Sequence, residues 1–313
     1  MNIFTVTLNT CFDLTLTVDT LSFDDVNRVS KELRQAGGKG IHVGKVAGRL
    51  GCDVSCWALL GEENRADFMN LLDELEPPLQ VVPCKGRTRE NLTIRYLNQT
   101  LKINRDGFLA GRKELSCLFD LLKVNITHGD IVAVSGSLPR GCTLENAAEF
   151  LENVKSSGAL LAVDCDAVTS SVLGRVKPWV IKPNIHEFHK LTGLSIPDEP
   201  EESDLVKIKN AALEIRFGGT ENVLVSLGTG GLLAVGKKTV LAKPPKVDVK
   251  STVGAGDSAL AGYIAGLAAG KSFARRAALA CACGTATAML EGTLLCSSEE
   301  AQEILSRVEL KEL

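Results

Sequence analysis

One stretch decides the fold: Val249-Lys250-Ser251-Thr252-Val253-Gly254-Ala255-Gly256-Asp257-Ser258. Its glycines and small side chains do not continue a strand, whereas the alanine-rich residues that follow, 259–265, favour a helix. A glycine-rich loop that runs into a helix presents several free backbone N–H groups in one direction, and the helix dipole adds partial positive charge there. The stretch therefore predicts a site for a phosphate or another developing anion.

Asp257 lies at this predicted anion site, and its presence has two explanations. As a helix N-cap, its carboxylate accepts hydrogen bonds from one or two of the free N–H groups. Next to a bound anion, however, a carboxylate costs Coulomb energy. That cost favours a second role, as a base that accepts a proton from an attacking hydroxyl group. The local sequence leaves both explanations open.

Composition and charge limit the classes of protein. The 313 residues are 45% hydrophobic, which is typical of a globular chain with a large core. A net charge of −3 argues against nucleic acid as the main partner, and no apolar run is long enough to span a membrane. The N-terminal residues lack the basic region of a signal peptide, and the ten cysteines form no CxxC pair. We therefore expect a cytoplasmic protein with reduced thiols.

Strands and helices alternate regularly from about residue 111 onward. Short apolar runs separated by helical segments predict an α/β fold with a parallel sheet covered on both faces. The predicted strands lie at 3–8, 54–60, 131–134, 160–163, 179–181 and 223–225. The predicted helices lie at 41–50, 65–75, 143–157, 166–173, 185–191 and 201–217. Since no long linker interrupts the pattern, residues 1–313 are predicted to form one domain.

A second kind of strand precedes this region. Residues 14–18 and 90–97 alternate apolar and polar side chains, which is typical of half-exposed antiparallel strands. Residues 27–34 and 101–104 follow them closely and suit the second strands of two hairpin-like units. We expect the two units to pair into a small extra sheet outside the main body.

Polar residues follow the predicted parallel strands at the point where each strand ends. They are Ser135-Gly136-Ser137, Asp164-Cys165-Asp166, Lys182-Pro183-Asn184 and Ser226-Leu227-Gly228. Turns are polar in general, which explains each group locally. Because the carboxyl ends of parallel strands meet at one edge of a sheet, the groups together predict a shared ligand crevice.

Several charged residues suit a phosphorylated ligand. Lys39, between glycines at a predicted helix start, can bind a second anion or can be a solvated surface lysine. Arg89 and Lys102 lie on the predicted small sheet, where they bring positive charge over the crevice or remain ordinary surface charges.

Two further motifs also have a local structural explanation. Asn184 and Glu187 lie three residues apart across a predicted helix start, where they suit either a hydrated Mg²⁺ ion or a capping box. The run 228–231 is glycine-rich and allows either close approach of a nucleotide or a tight turn.

The chain resembles the ribokinase-like (PfkB) carbohydrate kinases over essentially its whole length, in particular the branch of 1-phosphofructokinases and tagatose-6-phosphate kinases. The motifs that carry the resemblance are Thr7-Leu8-Asn9 with Asp13, Ala36-Gly37-Gly38-Lys39-Gly40, Thr88-Arg89, Lys102-Ile103-Asn104, Ser135-Gly136-Ser137-Leu138-Pro139, Lys182-Pro183-Asn184 with Glu187, Val225-Ser226-Leu227-Gly228 and Thr252–Ser258. In this order they are a specific signal, whereas each motif alone is weak.

The resemblance implies transfer of the γ-phosphoryl group of ATP, with Mg²⁺, to a hydroxyl of a sugar phosphate. Asp257 is then the base, and the backbone of Gly254, Ala255 and Gly256 forms the anion hole. The implied sugar-phosphate ligands are Asp13, Gly38, Lys39, His42, Arg89, Lys102 and Ser137. The implied nucleotide ligands are Lys182, Asn184, Glu187, Ser226, Gly228 and Gly231, of which Asn184 and Glu187 also hold Mg²⁺ through water.

The implied fold is a three-layer sandwich with a mostly parallel sheet and a small β-sheet lid built from residues 11–35 and 88–107. In relatives the lid also pairs subunits, so a homodimer is expected. Lys39, Arg89 and Lys102 favour a phosphorylated sugar over a neutral one. Fructose 1-phosphate is the leading substrate, followed by tagatose 6-phosphate and fructose 6-phosphate. A catalytically silent binding protein on the same scaffold is the alternative of a different class.

The chain departs from the family pattern at three places. His42 stands where a sugar-binding Asn is usual, and an imidazole cannot reproduce the hydrogen-bond geometry of an amide. Thr10 replaces the common Pro, and Arg105-Asp106-Gly107 replaces Glu-Pro-Gly. The phosphate-binding positions are kept while one hydroxyl-binding position has changed.

Overall fold

The computed structural model describes residues 1–72, 77–97 and 99–313, which form two separate β-sheets. The strands are β1 Ile3–Thr7, β2 Cys11–Val18, β3 Val29–Gly37, β4 Val54–Gly61, β5 Leu79–Cys84, β6 Arg89–Tyr96, β7 Gln99–Ile103, β8 Ile131–Gly136, β9 Leu160–Cys165, β10 Val180–Ile181, β11 Asn222–Ser226, β12 Leu232–Val235, β13 Thr239–Lys243 and β14 Glu309–Glu312. The helices are α1 Lys39–Arg49, α2 Arg65–Met69, α3 Arg112–Lys123, α4 Leu144–Ser156, α5 Ser170–Val176, α6 Ile185–Thr192, α7 Glu202–Phe217, α8 Ala255–Ala268, α9 Phe273–Ala288 and α10 Ser298–Leu305.

The large sheet has the strand order β14-β13-β12-β11-β10-β9-β8-β1-β4-β5. Seven neighbouring strands pair in parallel, in the order β5, β4, β1, β8, β9, β10 and β11. Beyond β11, the strands β12, β13 and β14 extend the sheet in antiparallel pairing. The sheet is thus mostly parallel, as the alternation of strands and helices predicts, and the carboxyl ends of its parallel strands share one edge.

Helices cover both faces of the large sheet, because successive strand residues point to opposite sides. In β8, Val132 and Val134 pack with α3 to α7, whereas Ile131 and Ala133 pack with α1, α8, α9 and α10. All four side chains are fully buried. A continuous apolar strand of this kind is typical of a parallel sheet buried on both sides.

The small sheet has the strand order β3-β2-β6-β7 and joins two separate segments of the chain. Hairpins form within each segment, where β2 pairs with β3 and β6 with β7 in antiparallel fashion. The two hairpins are joined by parallel pairing of β2 with β6, with Cys11 opposite Arg89. The predicted extra sheet is therefore present, and it combines the two expected hairpin units.

Two predicted helices differ from the observed ones by more than two residues at one end or both. The helix expected at 65–75 ends at Met69, and residues 73–75 of that prediction lie outside the described residues. Phe68 is the one buried side chain that anchors this short helix to the core, and Asn70, which follows Met69, is a weak helix former. The helix expected at 166–173 starts at Ser170 because Thr169 caps it, its hydroxyl accepting the N–H of Val172.

Within residues 1–72, 77–97 and 99–313, no helix has the length and apolar character that crossing a membrane requires.

Candidate active site

One crevice lies between the carboxyl ends of the parallel strands and the small sheet. Its volume is about 1360 Å³. Every residue that the sequence selects for a site lines this crevice: Asp13, Gly38, Lys39, His42, Arg89, Lys102, Ser137, Lys182, Asn184, Glu187, Ser226, Gly228, Gly231, Gly254, Ala255, Gly256 and Asp257. The structure thus brings together residues from both sheets and from the starts of three helices.

The start of α8 is open toward the crevice. Gly254 is the N-cap with a φ of 76°, and among the described residues no side chain accepts a hydrogen bond from the first turn. A Cβ atom on residue 254 would lie 2.7 Å from Cδ2 of Leu295, so both the backbone angle and the packing require glycine. The N–H group of Gly256 therefore remains available for an anion, whereas that of Ala255 makes a long contact, 3.4 Å, with the backbone oxygen of Thr252.

Asp257 is the third residue of α8 and does not cap it, which rules out the N-cap explanation. Its side chain is 8% exposed, and its Oδ2 lies 2.9 Å from Nδ1 of His42 on α1. A buried carboxylate with an oriented partner, at the edge of an open anion site, has the placement that a general base requires.

Lys182, Lys39 and Asp164 form a charge cluster at the floor of the crevice. Lys182 Nζ lies 3.2 Å from Oδ2 of Asp164, and Lys39 Nζ lies 3.7 Å from Oδ1. Burial raises the pKa of Asp164, but the two lysines outweigh this effect and hold the pKa below its ordinary value. Asp164 in turn raises the pKa of Lys39, against the smaller opposing effect of burial. Lys39 therefore stays charged, and Lys182 Nζ would lie 3.1 Å from a Cβ atom on Gly256, at the open start of α8.

Lys39 also begins α1, whose first turn points into the same crevice. No acidic residue occupies that turn, and Gly38, the N-cap, provides no side chain to accept its N–H groups. The hydroxyl of Thr7 accepts the N–H of Ile41 at 3.0 Å, which ties the helix start to the end of β1. A helix N-terminus with a lysine at its first position suits a second anion, as the sequence predicts.

Asn184 and Glu187 form a complete capping box at the start of α6. The side chain of Asn184 accepts the N–H of Glu187 at 2.9 Å, and Glu187 Oε2 accepts the N–H of Asn184 at 2.8 Å. The capping explanation is therefore correct. It does not exclude a role in the crevice, since both side chains still line it.

The run 228–231 forms a single 3-10 turn between β11 and β12. Gly231 has a φ of 93°, and a Cβ atom there would lie 2.1 Å from the backbone oxygen of Ala242 on β13. The glycine is thus required by a tight turn against a neighbouring strand. The turn nevertheless lines the crevice, so its backbone is accessible to a ligand.

The small sheet contributes cations and polar groups from above. Arg89 donates from Nη2 to Oγ of Ser137 at 2.9 Å and from Nη1 to the backbone oxygen of Arg105 at 3.2 Å. These two contacts fix the guanidinium across the gap between the two sheets. Lys102 lies on the adjacent strand β7, opposite Thr93 of β6, and carries no ion pair within the described ranges 1–72, 77–97 and 99–313.

Two asparagines that the sequence did not single out as site residues also belong to the crevice. The buried Oδ1 atoms of Asn9 and Asn91 have no hydrogen-bond partner in the part of the chain that the structure describes. Their amide nitrogens are engaged: Asn9 donates to Ser137 Oγ at 3.2 Å, and Asn91 to Asp13 Oδ1 at 3.5 Å. An unmatched buried acceptor is costly without a ligand. The alternation of β6, which places residue 91 on the same face as Arg89, is the signal that could have found Asn91.

The end of the crevice near α9 is apolar. Val247, Ala280 and Ala288 line it, and Gly284 and Cys281 add small surfaces. The crevice therefore combines a flat apolar end, an uncapped helix start, a group of lysines and a buried carboxylate. This combination is typical of α/β enzymes that bind a ring together with phosphate groups and activate a hydroxyl beside them.

Comparison with known proteins gives the family. The family model "pfkB family carbohydrate kinase" matches residues 5–300. The chain is 34% identical to a 1-phosphofructokinase of Rhodobacter capsulatus over 286 residues, which is 90% of this chain and 89% of that protein. Its fold superposes with a TM-score of 0.89 on phosphofructokinase-2 from Escherichia coli in complex with substrates and products, at 27% identity and over 98% of this chain and 99% of that chain. A ribokinase from Thermotoga maritima has the same fold, with a TM-score of 0.75 at 18% identity over 98% and 99% of the two chains.

The chain therefore belongs to the pfkB family of carbohydrate kinases. The predicted family and the predicted ribokinase-like α/β fold with a mostly parallel sheet and a separate small sheet are confirmed. The predicted class of enzyme, a phosphotransferase that acts on a sugar hydroxyl group, is confirmed as well.

Proposed function

We propose that this protein transfers the γ-phosphoryl group of ATP to a hydroxyl of fructose 1-phosphate and forms fructose 1,6-bisphosphate. The similarity to a 1-phosphofructokinase over most of both chains supports this substrate. The observation that carries the proposal is the joint placement of the buried carboxylate of Asp257 and the open start of α8 in one crevice with Lys39, Arg89 and Lys102. Three cations in the same crevice as the carboxylate suit a substrate that already carries a phosphate group.

The residues at the start of α8 carry the chemical step. Asp257 accepts the proton of the attacking sugar hydroxyl, so that the oxygen can attack the phosphorus atom. The N–H groups of Gly254, Ala255 and Gly256 stabilise the negative charge of the transferred group, and Lys182, next to Gly256, adds positive charge. Catalysis then consists of positioning and charge neutralisation, which is what phosphoryl transfer needs.

The sugar and the nucleotide occupy opposite ends of the crevice. Asp13 and His42 face the hydroxyl groups of the sugar, while Arg89 and Lys102 face its phosphate group together with Gly38, Lys39 and Ser137. The nucleotide lies along Ser226, Gly228 and Gly231, and its base packs on the apolar end near α9. The oxygen atoms of Asn9 and Asn91 gain the donors they lack when sugar hydroxyl groups bind.

The donor set of the crevice fits Mg²⁺ bound mainly by water and phosphate oxygens. No group of three or more His, Cys, Asp or Glu side chains that could hold a metal ion occurs within residues 1–72, 77–97 and 99–313. Mg²⁺ suits such a site, because it keeps several waters and takes few protein ligands. Asn184 and Glu187 would hold such an ion through water, and the capping box fixes the orientation of both side chains. When bound, the ion neutralises charge on the phosphate groups.

The small sheet acts as a lid within a single domain of residues 1–313, formed by segments 11–35 and 88–107. It contributes Asp13, Arg89 and Lys102 to the crevice, so a bound sugar phosphate holds it closed. A closed lid excludes water, which prevents hydrolysis of ATP when no sugar is present to accept the phosphoryl group.

The opposite face of the small sheet supports a homodimer. Register places Leu14, Leu92 and Ile103 in one row across the sheet and Leu16, Ile94 and Leu101 in the next. Ile103 is 45% exposed and Leu101 is 44% exposed, so an apolar face of six side chains points to solvent. A second copy of the same face covers such a patch by symmetry.

Sedimentation velocity tests the homodimer. We expect the wild-type protein to sediment as a dimer and Leu101→Glu to sediment as a monomer, because a charge buried in an apolar interface is costly. Leu121→Glu is the matched control, since Leu121 on α3 is exposed to a similar extent, 47%. A monomeric wild-type protein, or equal behaviour of the two variants, contradicts the proposal.

The substrate is tested by ATP consumption across a panel of sugar phosphates, free sugars and nucleosides. We expect the highest kcat/KM with fructose 1-phosphate, because the crevice provides cations for a phosphate at the end of the sugar away from ATP. A higher kcat/KM with tagatose 6-phosphate or fructose 6-phosphate would show that the proposed substrate is wrong but that the proposed phosphoryl transfer is right. Turnover of free sugars alone would contradict the phosphate contacts. Absence of turnover with the whole panel would indicate a silent binding protein.

A further inference from the structure

His42 connects two carboxylates that come from different parts of the chain. Its Nδ1 lies 2.9 Å from Oδ2 of Asp257 on α8, and its Nε2 lies 4.0 Å from Oδ2 of Asp13 on β2. The side chain of His42 is 9% exposed. One ring thus lies between the residue proposed to accept the proton and a residue proposed to bind the sugar.

The surrounding backbone is shaped for this arrangement. A Cβ atom on Gly37 would lie 2.1 Å from Oδ2 of Asp13 and 3.4 Å from Nε2 of His42, so glycine is required where the two groups meet. Asp13 also receives donors at its other oxygen, from Cys11 Sγ and from Asn91 Nδ2, each at 3.5 Å. The carboxylate is therefore held from two sides, with His42 on the side that faces Asp257.

We propose that His42 is a positioning residue whose protonated ring links Asp13 and Asp257, so that sugar binding by this kinase depends on the protonation of His42. The proposal rests on the proposed function for its kinetic part, and on the geometry alone for its structural part. A protonated ring donates from both nitrogens and attracts both carboxylates. In a neutral ring whose remaining proton is on Nδ1, facing Asp257, the Nε2 atom presents a lone pair to Asp13 and no longer attracts its carboxylate.

The charged groups around His42 favour protonation. Burial alone lowers the pKa of His42, but the hydrogen bond and charge of Asp257 and the charge of Asp13 outweigh burial and the smaller effect of Lys45 on α1, and raise the pKa above 6.5. Burial and the neighbouring Asp13 raise the pKa of Cys11 well above its usual value, so its thiol stays protonated and adds no charge. A histidine with a raised folded pKa stabilises the structure fully below 6.5 and loses this contribution as the pH rises through the folded value.

The effect on the enzyme follows the same sign. As the pH rises through the raised pKa of His42, the attraction between His42 and Oδ2 of Asp13 is lost, and the KM for fructose 1-phosphate rises by up to about tenfold per pH unit for one linked proton. The phosphate group of the substrate also titrates at about pH 6, but this effect is the same for the wild type and for every variant. The ratio of KM between the wild type and a variant without the imidazole therefore isolates His42.

The kinetic test compares the wild type with His42→Asn from about pH 6 to about pH 9. This window begins just below the ordinary pKa of histidine and extends well above it. We expect the KM of the wild type to rise at high pH relative to that of His42→Asn, whose amide does not titrate. His128→Asn is the matched control, because His128 is exposed near the opposite end of β8, and its KM should follow the wild type. Equal pH profiles of KM for the wild type and His42→Asn would overturn the proposal.

A second measurement does not depend on turnover. The chain has four histidines, so their NMR signals can be followed individually during a pH titration of the whole protein. We expect one signal that titrates above 6.5, that is missing from His42→Asn, and that moves to lower pH in both Asp13→Asn and Asp257→Asn. If His42 titrates at or below 6.5, or if neither substitution moves it, the link is absent. Since this outcome is independent of the substrate panel, failure of the link and failure of the proposed function are distinguished.

Discussion

Asp257→Asn is expected to lower kcat by about 10²-fold or more, the scale of general-base catalysis. An amide keeps an oxygen that can face His42, but it cannot accept the proton of the sugar hydroxyl group at neutral pH. Binding of ATP should stay nearly unchanged, because the N–H groups of residues 254–256 are untouched. Steady-state kinetics and a nucleotide-binding titration of the same preparation measure the two effects separately.

Asp204→Asn is the matched control for this substitution. Asp204 is also the third residue of its helix, α7, where its carboxylate accepts the N–H of Glu201 and pairs with Lys207. If the role of Asp257 were only to interact with the helix dipole, both variants would lose a few tenths of a kcal/mol to about 1 kcal/mol of stability and keep their turnover. Near-normal kcat in Asp257→Asn would therefore leave it as a helix-terminal residue and sink the base assignment.

Arg89→Ala is expected to raise the KM for fructose 1-phosphate by about 10- to 100-fold, the range for a lost hydrogen bond to a charged group. The guanidinium is held by Ser137 and the backbone of Arg105, and its buried Nε has no acceptor among the described residues. A fixed planar group with an unused donor suits the oxygens of a phosphate. The KM for ATP should stay within about twofold, because Arg89 lies at the sugar end.

Arg105→Ala provides the comparison for this variant. Arg105 lies nearby, and its side chain is 58% exposed and pairs with Glu90 at 3.4 Å. The substitution removes a surface charge but keeps the backbone oxygen that accepts from Arg89, so only a small change in KM is expected. If Arg105→Ala raises the KM as much as Arg89→Ala does, the effect comes from the overall positive charge of the small sheet. The proposed direct contact between Arg89 and the phosphate group is then wrong.

Features that depend on local periodicity could be predicted from the sequence. The apolar runs of β8, β9, β10 and β11 are short and are separated by helical segments, so the parallel sheet and its polar edge follow from the pattern. The small sheet follows from the alternation in β2 and β6. Helix starts were less accurate, because Thr169 caps α5 later than expected and the N-cap of α8 is Gly254, three residues before Asp257, which a capping preference selects.

Features that depend on contacts between distant residues could not be predicted. His42 and Asp257 are 215 residues apart in the chain, and their hydrogen bond exists only because α1 and α8 pack side by side on one face of the large sheet. The replacement of Asn by His at position 42 suggested a change in sugar recognition, whereas the geometry also ties it to Asp257. The ion pairs of Asp164 with Lys39 and Lys182 likewise join the ends of different elements.

The parallel pairing of β2 with β6 has a consequence for synthesis of the chain. Asn91 and Asp13, which meet across this pairing, are separated by 78 residues. Joining such distant segments costs loop-closure entropy, so we expect the two hairpins to meet only after β1, β4 and β5 have assembled. A ribosome releases the first hairpin long before the second exists, and its leucines stay uncovered meanwhile. We therefore expect the crevice to be completed late in folding. A nascent chain that stalls before residue 89 would expose the first hairpin, whose uncovered edge favours self-association.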